Sequence, residues 1–310
     1  MFSISDAPVP ELLRSVLRGV GQVFFQENAL TGACFLVGIA LSSPLMALGG
    51  AVGVIIGTAA ARLLKFDESE VTAGIYGFNS TLVGIATMFF FRPGVMSGLL
   101  LLAGCVAATV LTWLARNHVP FPTYTAPFIV TTWVLFFLGK ALSVSPVEPG
   151  GPLEGAGVIQ AVAHGVSQVM FQASLWTGLL FLVGIALNNW EHAVWVLTGS
   201  IVGMIVGSYH ATAAARVLDP ESLVERGLLD NVALGLYGYN ATLAAVALFL
   251  WRRSLIPPLL GMLLSVLLTD LVPMLGLPAL TAPFVLVTWL VLALGWLDRR
   301  LVRESAATPS

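Results

Sequence analysis

The sequence predicts an all-α integral membrane protein built from two homologous halves of opposite orientation. Three observations predict it. Of the 310 residues, 57% are hydrophobic and only 10% charged, whereas a soluble domain carries about a quarter charged residues. Apolar runs long enough for a bilayer core of about 30 Å recur along the whole chain, without the short alternating strands of a membrane barrel. The chain also repeats itself: Gly19–Leu41 (GVGQVFFQENALTGACFLVGIAL) matches Gly165–Leu187 (GVSQVMFQASLWTGLLFLVGIAL) at 15 of 23 positions.

Two further blocks recur in the same order. GIYGFNSTLVGIA, Gly74–Ala86, returns as GLYGYNATLAAVA, Gly235–Ala247. PTYTAPFIVTTW from Pro122 returns as PALTAPFVLVTW from Pro278. Three blocks in one order define a first half over 1–145 and a second over 156–310. The join over 146–155, within SVSPVEPGGPLEG, is rich in proline and glycine and reads as a linker. A polar stretch near Leu218–Asp230 lengthens the second half.

Each half is expected to hold five spans. In the first they fall near 30–42, 44–64, 74–91, 94–114 and 122–141, and in the second near 176–188, 193–214, 233–250, 255–273 and 278–297. Each set follows a more polar segment, Pro10–Gln26 or Ala156–Gln172, ending in QVFFQ or QVMFQ. Polar groups at depth need protein or water partners, so these segments read as re-entrant half-helices. An odd number of spans inverts the second half. With both termini cytoplasmic, Arg14, Arg18, Arg62, Lys65, Arg116, Arg252, Arg253, Arg299, Arg300 and Arg303 lie inside. Only Arg92, Lys140, Arg216 and Arg226 lie outside, the bias expected of cytoplasmic loops. The opening MFSISDAPVP has no basic region before an apolar core and does not read as a signal peptide. Cys34 and Cys105 sit among apolar residues and read as packing side chains. A net charge of −2 gives no reason to expect nucleic acid.

The spans are almost free of charge. Asp270 near the end of one reads as interfacial, and His210 within another as a packing histidine. Ion-coupled transporters normally place acids or bases in the membrane, so the pattern favours facilitated passage of a neutral solute. No nucleophile set, phosphate loop or metal-ligand spacing is present, so the chain does not read as an enzyme and calls for no cofactor or metal. The recurring polar residues are uncharged: Gln22 and Gln168, Gln26 and Gln172, Thr31 and Thr177, Asn79 and Asn240, Thr81 and Thr242, Thr125 and Thr281. Aromatics recur beside them, Phe25 with Phe171 and Phe78 with Tyr239. Packing and pore-lining readings both remain open for these pairs. Thr125 and Thr281 read equally well as helix-start caps. Aromatic walls and amide or carbonyl acceptors at a half-helix end would suit a small planar solute rich in N–H donors.

The blocks GQVFFQENALTG, GIYGFNSTLVGIA with its twin GLYGYNATLAAVA, and PTYTAPF with LPALTAPF resemble the urea transporter family over nearly the whole chain. The resemblance implies a homotrimer in the bacterial inner membrane, with one urea pore per protomer and channel-like passage through two aromatic slots around a midplane constriction. Carried over by motif, one oxygen ladder falls on Gln22 and the carbonyls of Val23–Phe25. The first slot falls on Phe25, Phe78 and Leu82, and the constriction on Thr125. The twins are Gln168, Val169, Phe171, Tyr239, Leu243 and Thr281. Two departures bear on substrate range: Glu27-Asn28-Ala29 and Ala173-Ser174-Leu175 stand where the family often has Asn-Asn-Pro, and Tyr239 stands where a Phe is common. Other small amides, ammonia or water are the alternative solutes. A proton-coupled carrier using His210 or Asp270 is the alternative mechanism.

Overall fold

The computed structural model describes residues 10–148, 157–215 and 228–307. The joining segment from 149 to 155, the polar stretch over 218–227, and Arg216 and Arg226 lie outside the described residues, as do residues 1–9. Among the described residues every regular element is helical, and the elements run in the same order twice.

In the first half a short helix α1 (Glu11–Gly21) tightens into a 3-10 turn (Gln22–Phe24) and stops. The chain turns 74° into α2 (Ala29–Ser42). Then come α3 (Pro44–Leu63), the short α4 (Glu68–Thr72), α5 (Phe78–Phe90), α6 (Val95–His118) and α7 (Ala126–Ala141). In the second half α8 (Val158–Ser167) ends in the 3-10 turn Gln168–Met170 and turns 71° into α9 (Leu175–Asn188). There follow α10 (Trp190–Ala215), α11 (Leu228–Ala233), α12 (Tyr239–Trp251), α13 (Ile256–Thr269), α14 (Leu271–Met274) and α15 (Ala282–Ala307).

Among the described residues five helices are long and apolar enough to span, and the count reaches seven if each bent pair is one span. The remaining apolar helices, α5, α7 and α12, have 13, 16 and 13 residues. At about 1.5 Å per residue these fall short of a bilayer core, and their first turns, at Asn79, Phe128 and Asn240, are buried in the protein. Sequence hydropathy assigned α5 and α12 longer spans because it counted the preceding glycine corners, which are turns.

The breaks have local causes. Phe25 and Phe171 end the half-helices in the left-handed region, at φ 61° and 62°. The next amides close back on the helix, from Gln26 to Gly21 O at 3.1 Å and from Gln172 to Ser167 O at 3.2 Å. This is a glycine-type helix stop occupied by phenylalanine, a backbone cost that points to a use for the ring. The following helices start on side-chain caps: the Thr31 amide donates to Asn28 Oδ1 at 3.0 Å, and the Thr177 amide to Ser174 Oγ at 3.3 Å. The two departures from Asn-Asn-Pro therefore each retain a good N-cap residue.

Gly74 and Gly235 make the repeated corners. Each has positive φ, 83° and 72°, and each lies against a half-helix. A Cβ there would stand 2.4 Å from Gly19 N or 2.2 Å from Gly165 N.

The halves meet through contacts that come in exchanged pairs. Thr31 Oγ1 donates to Gly184 O and Thr177 Oγ1 to Gly38 O, each at 2.7 Å. Trp133 Nε1 donates to Pro278 O at 2.9 Å and Trp289 Nε1 to Pro122 O at 2.8 Å. The Phe35 and Phe181 rings meet at 4.7 Å, tilted by 50°, with Phe24 against both. Residue i touching j while the twin of i touches the twin of j is the pattern of a twofold interface. Cys34 and Cys105 are free thiols, and Cys105 is fully buried.

Candidate functional site

At the centre, Thr125 Oγ1 and Thr281 Oγ1 are 2.7 Å apart, both buried. Thr125 stands at the N-cap of α7, yet its hydroxyl makes no cap bond. It spends its hydrogen bond on its own twin, which separates it from the helix-start reading.

Two aromatic clusters flank this pair, each drawn from both halves. The Phe25 ring meets Tyr124 at 5.9 Å and Phe284 at 6.2 Å. The Phe171 ring meets Phe89 at 4.9 Å, Phe90 at 6.3 Å and Phe128 at 6.2 Å. The motif asparagines hold these walls. Asn79 Oδ1 accepts the Phe128 amide at 3.1 Å, and Asn240 Oδ1 accepts the Phe284 amide at 3.2 Å. Each asparagine thereby fixes the start of the helix that carries the facing phenylalanine.

On the second-half side a cavity of about 390 Å³ opens from Thr281. Gln168, Val169, Phe171 and Tyr239 line it, facing Phe89, Phe90 and Phe128. Water occupies about 30 Å³ in the liquid, so several small solutes fit. The Tyr239 hydroxyl donates to Leu280 O at 2.6 Å. Its polarity is satisfied by the protein, so the slot keeps an apolar wall despite the tyrosine.

On the first-half side Gln22 is half-buried and its Nε2 donates to Ala73 O at 2.9 Å, which leaves Oε1 as an acceptor. The last carbonyls of a half-helix lack intrahelical donors. Phe24 O accepts Gln26 Nε2 at 2.5 Å, and Met170 O accepts Gln172 Nε2 at 2.8 Å. Gln26 also accepts from Asn188 Nδ2 at 2.8 Å and lies 3.1 Å from His192 Nδ1, so this glutamine belongs to the joint between the halves. The Val23 and Val169 side chains are core, and only their backbone has a polar group to offer. Leu82 and Leu243 are fully buried in the shared core. Phe78 packs on the core edge, while the rings that meet Phe25 are Tyr124 and Phe284.

Sequence reasoning missed Tyr124, Phe128, Phe284 and Leu280 as wall residues. The signal was present in the PTYTAPF and PALTAPF blocks, but only their threonines were assigned. The reading of His210 as a packing histidine is corrected. It is half-exposed, and its Nε2 lies 3.1 Å from Asp270 Oδ2. Its helix turns that face toward the end of α13, a relation no local pattern encodes.

The first-half corner carries its own ionic group. Tyr76 donates to Glu70 Oε2 at 2.5 Å, and Arg116 pairs with Glu70 Oε1. Burial raises the Glu70 carboxyl, but hydrogen bonds from Arg116 and Tyr76 outweigh it and hold the group below the ordinary glutamate value.

Paired half-helices, interlocked halves and an aromatic-walled cavity define a polytopic α-helical membrane transporter for a small solute, not an enzyme. The family model for the urea transporter matches residues 13–295, and the chain belongs to the urea transporter family. Urea transporter 1 of Ovis aries is 29% identical over 310 residues, spanning 90% of this chain and 76% of its own length. Urea transporter 1 of Mus musculus is 26% identical over 321 residues, spanning 94% of this chain and 79% of its own.

Proposed function

We propose that the chain carries urea down its gradient along one path per protomer, past Gln22 and Phe25, the Thr125–Thr281 pair, then Phe171, Tyr239 and Gln168. The observation that supports this most is the cavity beside Thr281, where neutral acceptors and aromatic walls meet, with the Asp270 carboxylate standing past those walls. Urea is flat, neutral and rich in N–H donors. An aromatic slot admits it edge-on, and acceptors such as Gln168 Oε1 replace the water it leaves. Each donor stripped of water without replacement would cost about 1–3 kcal/mol. Hydrated ions gain nothing comparable there.

The finer parts of the reading go with it. The halves 1–145 and 156–310 are inverted repeats, and the exchanged contacts of Thr31 and Thr177 support a twofold axis between them. The bias of the basic residues supports cytoplasmic termini, and the family resemblance supports a bacterial inner membrane as the location. Exposed apolar side chains such as Leu41, Trp176 and Val183 face lipid or the neighbouring subunits of a homotrimer.

Uptake of [14C]-urea by proteoliposomes, with thiourea and formamide as competitors, tests the function. The ion pair of His210 with Asp270 beside the cavity gives a proton-coupled carrier its only specific motive. Collapsing the proton gradient should leave flux unchanged; a loss of flux would favour that carrier instead.

A further inference from the structure

The cavity continues past its aromatic walls to Asp270, Tyr237 and Asn231. Asp270 caps the C-terminal end of α13, before α14 begins. The Tyr237 hydroxyl stands 3.2 Å from both Oδ1 and Oδ2 and has one proton to give. A carboxylate offers about four lone-pair sites, so acceptor capacity remains beside the cavity. His210 Nε2, from α10, is the single basic group within ion-pair reach of Asp270 among the described residues. Among the described residues, the groups facing the carboxylate are therefore His210 from α10 and Tyr237 from the corner before α12, with the neutral Asn231 of α11 beside Tyr237.

The first half builds the equivalent corner differently. There Tyr76 donates to Glu70, and the cation paired with that carboxylate is Arg116. The second half puts a histidine in that role. Histidine changes charge between about pH 5 and pH 8.

We propose that Asp270, held by Tyr237 at the end of the cavity, is a binding subsite for planar N–H donors, with guanidinium-type cations preferred, and that protonation of His210 closes it. The proposal rests on the urea-transport reading of the same cavity. Guanidinium has the plane and size of urea, and a carboxylate can take two of its parallel N–H groups. With His210 neutral, no cation among the described residues pairs with Asp270, and the carboxylate draws the cation in. The uncharged slot beyond gives the cation no replacement for its hydration, so it binds without crossing and blocks urea. With His210 protonated, an imidazolium 3.1 Å away neutralises the carboxylate and competes for it.

The test is urea efflux from proteoliposomes holding the intact protein, against guanidinium chloride in the low millimolar range, at about pH 8 and about pH 5.5. The expected result is block at the higher pH, with a half-blocking concentration roughly tenfold higher at the lower pH, a ratio worth about 1.4 kcal/mol. Asp270→Asn should give the weak value at both pH values. His210→Gln should give the strong value at both, and because this side chain is half-exposed it carries the test alone if Asp270→Asn fails to assemble. Absence of block, or block indifferent to pH and to both substitutions, overturns the subsite. Wild-type flux without guanidinium reads the transport function separately: if it is absent, that reading fails, and if it is present without block, the subsite alone fails.

Discussion

Replacing the two central threonines by valine separates a hydrogen-bonded pair from two independent helix starts. Thr125 and Thr281 are each 2% exposed, with their hydroxyls 2.7 Å apart. Thr125→Val alone leaves the Thr281 hydroxyl buried without that partner, and the converse holds for Thr281→Val. Each single change should cost about 1–3 kcal/mol, the penalty of an orphaned buried polar group. In the double mutant both hydroxyls are gone and the shape is kept, so the total should be close to that of one single mutant or below it. The coupling from the cycle is then about 1–3 kcal/mol. Unfolding in mixed detergent micelles, followed by tryptophan fluorescence, gives the four stabilities. Additive costs would refute the pairing. Urea flux on the same four proteins gives the functional half: a polar stop on the path predicts the slowest flux for the double mutant even though its stability recovers. Flux equal to wild type in all four would take the threonines off the path.

Gln22→Leu or Gln168→Leu should each slow urea flux at least about tenfold by removing one acceptor, with assembly unchanged by gel filtration; normal flux in both removes the glutamine oxygens from the mechanism. Phe171→Ala should raise the dimethylurea-to-urea permeability ratio, because the ring meets Phe89, Phe90 and Phe128 across the cavity; an unchanged ratio in folded protein places the size filter elsewhere. Tyr239→Phe loses the 2.6 Å bond to Leu280 O, while Asn240 Nδ2 stays on that oxygen at 3.4 Å, so stability should fall by only about 0.5–1.5 kcal/mol with flux near wild type. A large loss of flux there would mean that the hydroxyl touches the solute. Gly84→Leu should prevent assembly, since a Cβ at Gly84 stands 2.0 Å from the Gly49 backbone oxygen; monodisperse, folded Gly84→Leu protein would contradict the close α3–α5 crossing.

The helices were legible because hydropathy and caps are local, and the half-helices because QVFFQ and QVMFQ were too polar for lipid. The lengths of α5 and α12 were not, because Gly74 and Gly235 look like any other small residue in an apolar run. Only their approach to Gly19 and Gly165 shows that the chain is turning there. Repetition brought Thr125, Thr281, Gln22 and Gln168 to notice, since identical residues at twin positions stand out. The same filter hid Tyr124, whose twin is Leu280, and it gave no sign that His210 pairs with Asp270, since neither has a repeated counterpart. Divergence between the copies conceals what it specialises.

The exchanged bonds from Thr31 to Gly184 and from Thr177 to Gly38 are those of a dimer folded from one chain. A dimer of identical units has two identical faces, and any substitution that tunes one alters the other. Fusion lifts that obligation while leaving the shared joint intact. The joint residues have stayed equal, Thr with Thr and Gly with Gly. The corners have drifted, to Arg116 with Glu70 at one and His210 with Asp270 at the other. The two corners can thus diverge independently while the seam between the halves stays the same.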